Sequence, residues 1–154
     1  MKYFTADLWN KIQYPETYAE ASSQWDINLA EYMKVYNSIK HRLPTEFLNT
    51  YHQYEGFHDY HLESIKVNNY ENKSDPSVEI IISEFGNSFL ITYKDVSRFR
   101  TSYEKGNWAG FDDWGYDEFL PVDNKYLTHE ILFASGSSIL LQFKNRSITI
   151  EKIV

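Results

Sequence analysis

At 154 residues the chain has room for one domain with a core that buries about two-thirds of the unfolded surface. Its net charge of −7 and pI near 5.2, from 15 Lys and Arg against 22 Asp and Glu, make it a poor match for nucleic acid or an anionic membrane surface, so any charged partner should be basic. The absence of Cys excludes disulfides, thiolate catalysis and Cys-based zinc sites.

Thirteen Tyr, ten Phe and four Trp are a rich aromatic supply, suited to core edges and binding surfaces alike. No apolar run approaches the ~18–20 residues of a membrane span. The opening MKYFTADLWNKIQ lacks the continuous apolar stretch of a secretory signal, so the expected compartment is the cytoplasm.

Phe4, Leu8, Trp9 and Ile12 recur at helical spacing, and Thr5 is a plausible cap, which predicts a first helix over about 4–13. Pro15 then suits the first turn of a second helix over about 16–42. There Tyr18, Trp25, Tyr32 and Ile39 repeat every seven residues, and Leu29, Tyr36 and Leu43 form a second row. The spacing predicts that Trp25, Leu29, Tyr32, Tyr36 and Ile39 are buried against the domain's own sheet; a dimerisation seam is the alternative. A third helix over about 45–54 follows Pro44 and closes at Glu55-Gly56.

From His61 the period changes to two. Residues 78–85 and 89–94 flank Gly86-Asn87, read as a type II′ hairpin, and 96–101 continue the second strand. Residues 130–134 and 138–143 flank a Ser135-Gly136-Ser137 turn, and 147–153 form the last strand. Only 102–123 is a long interval, and its Gly, Asp and aromatic content argues against a helix. The expected architecture is a single α+β domain over 1–154. A helical part, 1–57, packs on one face of a mainly antiparallel sheet of five to six strands in 58–154.

The densest chemistry lies in 108–119. It combines Asp112, Asp113, Asp117 and Glu118 with Trp108, Phe111, Trp114, Tyr116 and Phe119. Three readings stand: an aromatic-anchored surface loop, a docking patch for a basic protein, or a glycosidase-like or metal-binding carboxylate set. The spacing lacks the EF-hand register. In the docking reading Asp112, Asp113, Asp117 and Glu118 steer the partner while Trp114 and Tyr116 anchor it. His58 and His61, three apart, and His129 make no H-E-x-x-H pattern, and no metal site is expected. P-loop, G-x-G-x-x-G and G-x-S-x-G motifs are absent, and no cofactor or catalytic residue is expected.

Three stretches carry a resemblance: MKYFTADLWNKIQ, then Phe57-His58-Asp59, then Leu127 to Gly136 (LTHEILFASG) followed by 139–144. Together they resemble an uncharacterised family of Gram-positive bacterial proteins, a domain of unknown function. The resemblance implies a cytoplasmic bacterial protein and no activity. The functional expectation is a non-catalytic protein-binding module, monomeric or weakly dimeric, of the immunity or antitoxin kind acting on a basic partner. The alternative is a small hydrolase or carbohydrate-binding protein using 108–119.

Overall fold

Thr5 opens the first helix, α1 (Ala6–Ile12), where its hydroxyl accepts the N–H of Leu8 at 3.2 Å. The computed structural model describes residues 1–70, 74–107 and 110–154. Pro15 begins the second helix, α2 (Pro15–Ile39), at a position where its missing N–H costs nothing. The last turn tightens into a 3₁₀ segment, Lys40–Arg42, and the third helix, α3 (Thr45–Gln53), follows Pro44. The three helices therefore lie where the hydrophobic spacing put them.

The buried stripe of α2 differs in one row. Ala21, Tyr32, Tyr36 and Ile39 are buried and Trp25 is partly covered, but Leu29 is 41% exposed. Asn28 takes the inward place, and its amide donates to the carbonyl of Tyr3 at 2.8 Å. A straight helix turns through 3.6 residues, so a strict seven-residue repeat drifts off the contact line, and the stripe here follows the helical period.

Eight strands follow: β1 (His61–Asn68), β2 (Ser77–Glu84), β3 (Asn87–Tyr93), β4 (Val96–Ser102), β5 (Trp114–Pro121), β6 (Tyr126–Phe133), β7 (Ser138–Lys144) and β8 (Ile148–Lys152). They make two four-stranded antiparallel sheets, ordered β1-β2-β3-β8 and β4-β7-β6-β5, in place of the expected single sheet of five to six strands. Two local features account for the difference. Asp95, at φ 50°, turns the chain after β3, so that 96–101 leave that strand and pair with β7. The long interval also contains a strand, β5.

The hairpin between β2 and β3 is displaced by one residue from its expected position. Glu84 pairs with Asn87, so the two-residue loop is Phe85-Gly86, and both have positive φ, 43° and 79°. That is the type I′ signature, not type II′. The Ser135-Gly136-Ser137 turn joins β6 to β7 as expected. Its buried Ser137 accepts the N–H of Glu104 and donates to the Glu104 carbonyl, fastening the preceding loop.

One hydrophobic cluster joins all the parts. Ile80, Ile82, Ile91 and Tyr93 come from the first sheet, Leu127, Ile131, Leu141 and Phe143 from the second, and Tyr32, Phe47 and Phe57 from the helical part. Each fully buried Ile or Phe contributes roughly 1.5–3 kcal/mol. The helices touch both sheets, α2 packing on β5 and α3 on β8, which corrects the one-sheet-face expectation. Consecutive residues Asp117, Glu118 and Phe119 of β5 are all buried, so both faces of this strand are covered, and this decides the fate of its carboxylates.

Candidate functional site

Trp108 lies outside the described residues. Of the expected partner-facing set, Trp114, Asp117 and Glu118 are buried at 0%, 8% and 0% exposure. The reading of 108–119 as a surface loop is corrected accordingly: from Trp114 onward it is strand, and side chains shut inside the fold cannot anchor or steer a partner. Asp112, Asp113 and Tyr116 keep partial exposure.

A bulge between Trp114 and Tyr116 shifts the alternation of β5 by one residue. Trp114 thus shares a face with Asp117 and Phe119, and its indole N–H reaches Asp117 Oδ1 at 3.4 Å. On the other face Tyr116 packs against Phe4, Trp9 and Trp25, with ring centroids 4.3–5.8 Å apart. Glu118, on that face too, accepts the backbone N–H groups of Lys2 at 2.8 Å and Phe4 at 2.7 Å, as well as that of Tyr3. Its cross-strand partner Glu130 lies 2.7 Å from the amino nitrogen of Met1. Sequence reasoning took Glu118 for a solvated charge because its donors lie more than a hundred residues away.

Asp117 lies at the centre of a buried network. Tyr51 Oη donates to Asp117 Oδ2 at 2.8 Å, and His129 Nε2 lies 2.7 Å from the same oxygen. Tyr93 Oη is 2.6 Å from His129 Nδ1, and the Phe119 ring stacks on the imidazole at 3.8 Å. Burial first, then the charge of Asp117, raises the hydroxyl pKa values of Tyr51 and Tyr93 well above normal, so both stay protonated. His129 thus bridges Tyr93 and Asp117, one ring nitrogen to each, and the Asp117 carboxylate is met by Tyr51, His129 and Trp114 together. Asp117 and Glu118 point to opposite faces of one strand and are fully engaged, so they do not flank a shared space as a glycosidase pair does.

A second gathering is on the surface, where the chain enters β1. Glu55, Gly56, Phe57 and Asp59 all have positive φ, as has Asp112 across the way. Such a run costs of order 1 kcal/mol or more per non-Gly residue and persists only where the surroundings enforce it. Here Asp59 N–H donates to Trp114 O and Trp114 N–H to Tyr60 O, locking the turn to β5. His61 Nδ1 sits 2.6 Å from Asp113 Oδ1, and His58 Nδ1 sits 2.9 Å from Asp59 Oδ1. His61 pairs with Ser83, which brings the β2–β3 hairpin tip beside them. Burial, reinforced by the charges of Asp59 and Asp113, raises the pKa of Glu84 above its usual range. Next to Glu84 stands Phe85, 94% exposed.

Sequence reasoning missed Phe85, although a signal was present: an aromatic residue directly before Gly in a two-residue hairpin loop, where Asn or Asp is favoured. Tyr51, Tyr93 and His129 gave no local signal, because they meet only through the fold. Among the described residues no group of three metal-ligating side chains gathers, and no helix is long and apolar enough to cross a membrane. No family model matches the chain, and no curated protein matches it.

Proposed function

We propose that this chain is a non-catalytic protein-binding module, cytoplasmic, of the immunity or antitoxin kind, and that its partner is a basic protein. The observation that carries the reading is Phe85. A type I′ loop favours Asn, Asp or Gly at its first position, and an L-residue in the left-handed region costs roughly 1–2 kcal/mol. Phe85 accepts that strain at φ 43° and leaves its ring 94% exposed, so the folded chain alone gains nothing from it. A rigid aromatic displayed on a hairpin tip is the chemistry of an interface anchor.

The surroundings indicate the partner's charge. Glu84, Asp59 and Asp113 place three carboxylates around the tip, with His58 and His61 pairing two of them. Carboxylates at the rim of an apolar anchor speed encounter with a basic surface and are screened over about 10 Å at 0.1 M salt. Asp113, one of the residues expected to steer, keeps that role here; Tyr116 supports the patch from below through its edge contact with His58 at 5.3 Å.

The test uses the wild-type chain, Phe85→Asn and an Asp59→Asn/Glu84→Gln/Asp113→Asn variant as baits in a lysate of the native cells. A basic protein should be retained by wild type and lost by Phe85→Asn, which relieves the turn and so cannot fail by misfolding. With the purified pair, Phe85→Asn should weaken binding by about 30-fold or more. The triple variant should slow association at low salt, with the difference fading near 0.5 M salt. A partner that binds Phe85→Asn as tightly as wild type, or that is acidic, overturns the proposal.

A further inference from the structure

β4 is an outer strand of its sheet, and its free side is open. At the opposite edge β5 is sealed: Asp59 N–H donates to Trp114 O, Trp114 N–H to Tyr60 O, and Phe119 N–H to Tyr32 Oη. β4 has a comparable bond at its start, where Val96 N–H donates to Pro76 O. Among the described residues the backbone of 97–102 makes no hydrogen bond beyond its ladder with β7. Residues 97–102 are exposed except Phe99, which is half-buried. A bulge at Ser97 bends the first residues, and from Arg98 to Ser102 the pairing is regular. Such a segment presents a row of N–H and C=O groups on which an extended chain can add a strand.

The charge of this edge specifies the partner. Arg98 and Arg100 pair with Gln142 and Leu140, whereas Phe99 and Thr101 pair with the buried Leu141 and Ile139. Both arginines therefore stand on the face turned away from the core. Lys144, two residues past Gln142 on β7, shares that face and is exposed. With 22 acidic residues against 15 Lys and Arg, carboxylates are in excess in this chain. Yet the ion pairs among the described residues use Lys11, Lys34, Lys66, the Met1 amine and three histidines, and no arginine. Arg42 and Arg146 are occupied by the carbonyl oxygens of Asp123, Tyr126 and His41. Arg98 and Arg100 have no such bond among the described residues. We infer that β4 takes up an extended acidic segment of a partner protein as an added strand, with carboxylates at alternate positions meeting Arg98 and Arg100. A second copy of the chain is disfavoured: antiparallel pairing of two β4 edges about Phe99 sets Arg98 against Arg100, and like charges directly opposite are destabilising. Charge on an edge strand guards against self-association, and a cationic guard leaves the edge open to a strand of opposite sign. This surface is independent of Phe85, which lies on the other sheet and is proposed to meet a basic partner.

The experiment is an NMR titration of the intact chain, at low salt, with the capped peptide Thr-Glu-Val-Glu-Val-Glu-Thr. Its comparators are the form with Gln in place of Glu, and Thr-Glu-Pro-Glu-Pro-Glu-Thr, which keeps the charge but cannot complete a ladder. The Glu-Val peptide should give saturable shifts centred on 98–102 and slow the exchange of the outward amide hydrogens there. It should bind at least about tenfold more tightly than either comparator. Arg98→Gln/Arg100→Gln removes only exposed side chains, and it should weaken the peptide by about tenfold, the difference fading near about 0.5 M salt. Equal affinity of the Gln form, or of the double variant, would remove the charge selection and overturn the inference. Equal affinity of the proline form would show adhesion without strand addition and overturn it too. So would no saturation by about 5 mM peptide. Protection of the same amides that rises with protein concentration in the absence of peptide would assign the edge to a second copy and overturn it as well.

Discussion

Glu118 and Phe4 meet across 114 residues of chain, the buried carboxylate accepting the Phe4 N–H at 2.7 Å beside those of Lys2 and Tyr3. A charged acceptor shared by three backbone donors is what allows an acidic residue at 0% exposure. Replacing it with Gln keeps the shape but turns an NH₂ toward N–H groups. Glu118→Gln should cost about 3 kcal/mol in a urea melt with an unchanged slope. A loss under about 0.5 kcal/mol would show that these bonds do not hold the N-terminal segment.

Phe85→Asn should make the protein more stable. The first loop position of the β2–β3 hairpin needs positive φ, which Asn tolerates, and the exposed Phe ring has no packing to lose. The expected gain is about 1 kcal/mol, read as a rise in the denaturation midpoint. No gain, or a loss, would show that the Phe85 ring packs in solution.

The register of α2 can be checked by paired truncations. Trp25 lies 4.7 Å from Phe4 and 4.3 Å from Tyr116, ring to ring, so Trp25→Ala should cost about 2–3 kcal/mol, less than for a fully buried ring. Leu29, at 41% exposure, should lose no more than about 0.5 kcal/mol on truncation. The reverse order of effects would restore the heptad seam.

Gly106 has no space for a side chain. A Cβ there would overlap the carboxylate of Asp112 and stand 2.9 Å from the Cα of Ser135. Gly106→Ala should therefore destabilise by about 1–3 kcal/mol, measured by thermal or urea denaturation. Gly110, with φ at 74° and, among the described residues, no atom within 4 Å of a Cβ placed there, tests backbone strain in comparison.

Glu84 gives a pH signature. Burial, then Asp59 and Asp113, raise its folded pKa, with His61 and His58 pulling the other way. A carboxyl that binds its proton more tightly when folded contributes stability below its unfolded pKa, and that contribution is lost as pH rises through the folded value. Glu84→Gln should raise the melting temperature near pH 7 and leave it unchanged near pH 3.5. A variant less stable at neutral pH would mean that its partners outweigh its burial.

Local spacing by itself determined the α+β class, the three N-terminal helices, the Ser135-Gly136-Ser137 hairpin and the β2–β3 pairing to within one residue. These follow from periodicity, from Pro15 and Pro44, and from glycines that permit positive φ, all of which act within a few residues. Tertiary structure alone decided that the strands split into two sheets, because that depends on the turn at Asp95 and on which edge β4 then meets. It also decided that Asp117 and Glu118 belong inside. A carboxylate is read as exposed unless donors are at hand, and theirs arrive from Tyr51, from His129 and from residues 2–4, distant in sequence and adjacent only after folding. Phe85 lies between these cases: its chain neighbour Gly86 marks the turn, but only the folded hairpin shows that its ring has nothing to pack against.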